Sequence, residues 1–257
     1  LLKAKLTDCE QQEMPTSDLV GTIRASLFTM TIDFSNAAER AHTAAEEIWH
    51  AATHGIGIVL AAIALVFLVL KATMSGGATE VTAVSIYGGS AVLLYLASTV
   101  YHAAFRSPFQ PFLEVVDHAA IYVKIAGSYT PFALITLPTV SGTAILITVW
   151  GLAAVGITLK FVAHYVSSIR KYDWISLAGY VGMGWLAIFV IWPLFTNLPL
   201  AGFLWLVAGG LCFTVGAGFF AWKSRMYTHA IFHVFVLAGS VCHFVSIYGF
   251  VLPTTTA

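Results

Sequence analysis

From position 48 to position 251 the chain consists of long apolar stretches joined by short polar breaks, and nothing constrains its folding more. Seven such stretches run over about 48–70, 81–105, 115–137, 143–164, 174–195, 200–222 and 227–251. Each is long enough to cross the hydrocarbon core of a bilayer, which takes ~20 apolar residues in a helix. Backbone amides and carbonyls cannot stay unpaired in hydrocarbon, so spans of this kind must be helical. Composition agrees. Hydrophobic residues make up 59% of the 257 positions and charged ones only 9%, against roughly a quarter charged in soluble domains. With a mean hydropathy of +0.86, the chain cannot clothe itself in polar surface, and lipid must be part of its solvent. The expected fold is an all-α membrane protein, a bundle of seven transmembrane helices.

Gly76-Gly77, Ser107-Pro108, Pro138 and Asn197-Leu198-Pro199 separate the spans. The loops are short, so neighbouring helices must run antiparallel, and no loop is large enough to be a domain. Residues 1–44 read as a polar tail and 45–257 as the membrane domain. Positions 1–47 hold eight of the twelve Asp/Glu but only four of the twelve Lys/Arg, and helix is expected near 35–47. Orientation follows from where the cations fall. Arg106, Lys160, Arg170, Lys171, Lys223 and Arg225 lie at alternate loops, against Lys71 alone on the other side. The N-terminus and tail are therefore expected in the cytoplasm and the C-terminus outside. A formal net charge of zero offers no basic patch for nucleic acid. Cys9, Cys212 and Cys242 are scattered and do not suggest a disulfide framework.

Ionisable groups inside a span are costly and mark function by default. Here they collect at one edge. Given the orientation, His102 ends span two on the inner side, and Asp117 and His118 open span three there. His229 and His233 open span seven, and Glu47, His50 and His54 open span one. His229 and His233 are four residues apart, which puts both imidazoles on one helix face, as two ligands of one ion require. His102 can supply a third nitrogen, and Asp117 an oxygen, directly or through a bound water. Three histidines with an open fourth position are the pattern of catalytic zinc, which lowers the pKa of bound water to ~7. Asp117 would then be the general base or the group that orients the water. Ser98, one turn deeper than His102 on the same face, can hydrogen-bond a substrate or that water.

Each residue has a plainer reading. A histidine pair at this spacing also suits a membrane interface, and Ser98 suits a small packing residue with its hydroxyl bonded back to the helix. His118 must point about 100° from Asp117 and is expected to face the headgroups. His42, His50 and His164 read as boundary residues. His243 lies ~15 Å along the axis from His233 and reads as a buried, hydrogen-bonded histidine. Glu47 and His54 share a face and form either an outer shell to the site or a polar plug, although a carboxylate at a helix start is also favoured by the helix dipole. Lys124 lies two turns deeper than Asp117, with no evident role. Gly179, Gly182, Gly184, Gly209, Gly210, Gly216 and Gly218 suit close helix packing.

Several of these residues sit in longer motifs. Glu-Glu-Ile-Trp-His-Ala-Ala-Thr-His-Gly-Ile-Gly (46–57), Tyr-Gly-Gly-Ser (87–90) and Leu-Ala-Ser-Thr-Val-Tyr-His (96–102) come first. Asp-His-Ala-Ala-Ile-Tyr (117–122), Ala-Gly-Ser-Tyr-Thr-Pro-Phe (126–132) and His-Ala-Ile-Phe-His-Val-Phe-Val-Leu-Ala-Gly-Ser-Val-Cys-His-Phe (229–244) follow. Together they resemble the bacterial hemolysin III branch of the progestin and adipoQ receptor family, over about residues 44–252. The resemblance implies seven helices with the N-terminus inside and zinc held by His102, His229 and His233, with Asp117 acting through a water. It also implies a multi-pass protein of the bacterial inner membrane. Relatives in the wider superfamily are linked to ceramide hydrolysis through a similar His/Asp/Ser constellation, which by analogy draws Ser98 into the site. Lys124 departs from the apolar residue usual at its position.

Three functions fit such a chain to different degrees. A zinc-dependent hydrolase of a lipid amide or ester, ceramide-like, uses the metal, the carboxylate and the inner-side depth. A receptor-like regulator of membrane homeostasis would carry a structural zinc with no exchangeable water. A pore-forming hemolysin is disfavoured, because a pre-inserted helical bundle has no soluble form with which to attack another cell.

Overall fold

The structure, a computed structural model, describes residues 42–166, 173–222 and 224–253. The expected tail lies almost wholly outside them, as do Arg170, Lys171 and Lys223. All regular structure among the described residues is helical: α1 (Ala44–Ser75), α2 (Ala78–Ala103), α3 (Gln110–Pro131), α4 (Thr139–Tyr165), α5 (Asp173–Trp185), α6 (Ile191–Asn197), α7 (Leu200–Ala221) and α8 (Thr228–Ser246). One π-helical turn, Phe132–Thr136, prolongs α3 and another, Ile247–Val251, prolongs α8. A 3-10 segment, Leu186–Val190, joins α5 to α6.

Six rods are long and apolar enough to cross a membrane: α1, α2, α4, Ile175–Asn197, α7 and α8 with its π turn. The expected third span, carried by α3, falls short of that measure because it holds Glu114, Asp117 and Lys124. Its polar groups are turned inward. Asp117 and Lys124 are both buried, and α3 packs between α2 and α4. The protein is thus an all-helical, multi-pass membrane protein.

Large apolar side chains face outward, as expected where lipid is the solvent. Ile56, Val59, Ile63 and Phe67 line the outer face of α1. Small and polar residues face in. Ala61, Ala91, Ala97 and Ala120 join Tyr95 and Val236 in one core cluster, and Gly57 lets α1 approach the Tyr95 ring so closely that a Cβ there would collide with it. Tyr95 donates to Ser240 Oγ at 2.7 Å and Tyr87 to the Ser240 carbonyl at 3.1 Å, tying α2 to α8. Such bonds hold helices together where apolar burial gives no drive. Of the glycines expected at helix contacts, Gly209 and Gly216 meet α8 side chains closely, whereas Gly182, Gly184, Gly210 and Gly218 have no neighbour within 4 Å of a built Cβ.

Two helices join at Leu186–Val190 where one unbroken span was expected, and the break has a cause. Pro193 has no N–H and its ring crowds the carbonyl one turn back, which favours the 3-10 segment found just before it. Tyr129 fills the gap: its hydroxyl accepts from the Ala187 amide at 2.9 Å and donates to the Gly184 carbonyl at 2.6 Å. Freed backbone groups at membrane depth need such partners. Tyr129→Phe is expected to lower stability by about 1–2 kcal/mol, read as a lower thermal midpoint of the detergent-solubilised protein.

Candidate metal centre

The site is built at the start of α1, the end of α2 and the start of α8. Thr43 caps α1 through a capping box with Glu46, and the other Glu46 oxygen accepts the Tyr227 amide at 3.0 Å. That bond holds Tyr227 at φ 61°, a left-handed conformation that is unusual for a side chain of this size, and it sets where α8 begins. His229 and His233 then project from the first turns of α8 toward α1 and α2.

Four imidazoles meet there. The rings of His102, His229 and His233 lie 4.7–5.1 Å apart, centre to centre. His50 joins them at 4.7 Å from His102, 4.7 Å from His229 and 5.5 Å from His233. His50, His102 and His229 offer one nitrogen each, all within 4.8 Å of one another, close enough to hold a metal ion. His50 is fully buried. It is not the boundary residue expected from sequence, and His42 packs against it at 4.9 Å. Glu47, His50 and His54 recur at three- and four-residue steps on one helix face. That spacing is the signal by which sequence could have found His50.

Hydrogen bonding aims two of the rings. His102 Nδ1–H donates to Glu47 Oε2 at 2.7 Å, leaving Nε2 buried without a partner. His233 Nδ1–H donates to the His50 carbonyl at 3.2 Å. In each ring the bond at Nδ1 fixes the tautomer and turns the Nε2 lone pair free, the usual outer-shell arrangement of a metal-binding histidine. His50 makes no hydrogen bond of ordinary geometry at either nitrogen, although its Nδ1 lies 3.7 Å from Glu47 Oε2. The donor set, three or four imidazole nitrogens in a buried pocket, suits zinc or a similar transition metal. His54 is stacked on His233 at 3.6 Å and shields it.

A cavity of about 250 Å³ leads away from this cluster. His54, Ser98, Asp117, His118, His229 and His233 line one end of it, and further on its wall is almost wholly apolar, reaching Leu137, Leu194 and Phe203. Asp117 is buried beside Ser98, whose Oγ makes no hydrogen bond of ordinary geometry. Neither belongs to the group of mutually close metal donors; both face the cavity that the histidines close. His118, expected among the headgroups, lines the cavity as well. His243 is buried as expected, but neither ring nitrogen makes a hydrogen bond of ordinary geometry. The sequence carries no sign of the cavity, which depends on how α3, α5, α7 and α8 splay.

Residues 42–244 match the family described as Haemolysin-III related. The chain is 43% identical over 211 residues to Hemolysin-3 of Bacillus cereus, covering 82% of this chain and 94% of the relative. It is 43% identical over 202 residues to the Hemolysin-3 homolog of Bacillus subtilis (strain 168), covering 79% and 92%. A more distant likeness, 28% over 179 residues, covers 66% of the chain and 71% of the monocyte to macrophage differentiation factor of Homo sapiens.

Proposed function

Because this chain belongs to the haemolysin-III related family, we propose that its imidazole cluster is a zinc centre and that the adjoining cavity takes a lipid amide or ester, ceramide-like, for hydrolysis. The observation that carries this reading is the junction of the two features: metal-directed nitrogens close one end of a largely apolar cavity, and Asp117 and Ser98 line that same end. His102, His229 and His233 hold the ion, and Glu47 orients His102. When bound, zinc polarises a carbonyl and makes water nucleophilic near neutral pH. Asp117 takes the proton of the attacking water and passes it to the departing amine or alcohol as the carbonyl–nitrogen or carbonyl–oxygen bond breaks. Ser98 donates to the carbonyl oxygen as charge builds there.

The proposed setting is the bacterial inner membrane, with seven crossings, the N-terminus in the cytoplasm and the C-terminus outside. In favour of the seventh crossing, α3 with its π turn is ~40 Å long, and the charges of Asp117 and Lys124 are buried. In favour of the orientation, Arg106 and Arg225 lie in loops at the histidine end.

His50 favours a second reading. A catalytic zinc keeps one position open, whereas a structural one is saturated. If His50 is a fourth ligand, the site is closed and the protein is a non-enzymatic, receptor-like regulator of the membrane. Metal analysis and ceramide hydrolysis on wild type, His50→Ala and His233→Ala separate the two. The hydrolase reading expects one zinc per chain, turnover in wild type and in His50→Ala, and loss of both metal and turnover in His233→Ala. Zinc retained by wild type without lipid turnover, and lost in His50→Ala, would instead establish the regulator. Protein purified without metal would sink both.

A further inference from the structure

About two helical turns along α3 from Asp117, ~10 Å, the cavity wall carries a second polar group of a different kind. Lys124 is 3% exposed. Its Nζ donates to Ser128 Oγ at 3.2 Å and lies 4.2 Å from the centre of the Tyr87 ring. Among the described residues no carboxylate pairs with it. His243, from α8, lines the same cavity. It is 8% exposed, and neither ring nitrogen makes a hydrogen bond of ordinary geometry, although the ring lies by the Leu206 backbone. A glycine at position 209 makes room for this ring, which a Cβ there would strike. Beyond Lys124 the wall running toward Leu137 and Leu194 is apolar.

A lysine in an apolar interior is expensive unless an anion meets it. Here the protein supplies a hydroxyl, an aromatic face and, across the cavity, the His243 imidazole, but no anion. The apolar wall beyond is suited to an alkyl chain. We propose that Lys124 and His243 form a carboxylate subsite, separate from the histidine cluster, in which a long-chain fatty acid binds with its carboxylate on Lys124 and its tail along the apolar length of the cavity. Trp185 and Ile188 line the cavity and are also exposed on the bundle's outer face, so an amphiphile can enter from the membrane. The subsite stands on this geometry alone and does not require that the metal centre hydrolyse anything.

The test is binding of radiolabelled palmitate to the purified full-length protein in detergent, in competition with unlabelled palmitate or palmitate methyl ester. A charge-assisted hydrogen bond predicts that wild type prefers the acid by about tenfold or more. The preference should vanish in Lys124→Met, shrink in His243→Phe and survive in His102→Ala. Equal affinity for acid and ester in wild type would overturn the proposal, and this comparison needs no variant to fold. A preference kept by Lys124→Met but lost in His102→Ala would overturn it too, by placing the carboxylate at the histidines.

Discussion

His102→Ala is expected to leave the purified protein without bound metal and to lower lipid hydrolysis by about a thousandfold or more. His102 belongs to both candidate ligand trios, the one with His229 and His233 and the one with His50 and His229, and no neighbouring side chain can replace it from α2. A catalytic metal contributes several kcal/mol of charge stabilisation, and each 1.4 kcal/mol is a factor of ten in rate. Elemental analysis of the purified variant, set beside its rate on ceramide, reads both effects. The fold should survive, since the helix contacts through Tyr95, Ser240 and Gly57 do not involve His102. Circular dichroism and the elution volume in detergent check this. Full metal content in the variant would refute the site.

Glu47→Gln should act on the same ion without touching it. Glutamine keeps the size of the side chain and can still accept from His102 Nδ1–H, but it loses the charge that makes the imidazole a stronger ligand. Outer-shell substitutions of this sort cost about 10–100-fold in metal affinity. Competition with a chelator of known affinity should show a loss in that range, with one metal still bound at saturation. An unchanged affinity would mean that Glu47 serves only the start of α1, as its position near the helix dipole also allows.

Much of this architecture is legible in the chain, and the limits have physical causes. The six apolar rods lie close to the expected spans because length and hydropathy alone decide them. The third span is harder to judge by the same measure, since Asp117 and Lys124 are tolerated only once neighbouring helices cover them, which is a tertiary fact. The convergence of His102, His229 and His233 at one end follows from alternating helix direction. His50 escapes a reading by membrane depth alone, which passes over the face it shares with Glu47 and His54. The kink at Leu186–Val190 has a sign in Pro193, but its partner Tyr129 lies on a different helix. The cavity and the place of His243 in its wall cannot be foreseen from periodicity, because both arise where several helices fail to close against one another.

The cluster takes His50 from the first helix, His102 from the second, and His229 and His233 from the last. A chain growing from the ribosome therefore carries only His50 and His102, half of this cluster, for most of its synthesis, with nothing to complete it. On the proposal that the cluster holds an ion, capture must wait until the final helix is packed against the first. Metal capture is thus a signature of finished biogenesis: a stalled or truncated product lacking α8 is expected to emerge unmetallated, and retained metal marks the molecules whose two ends have met.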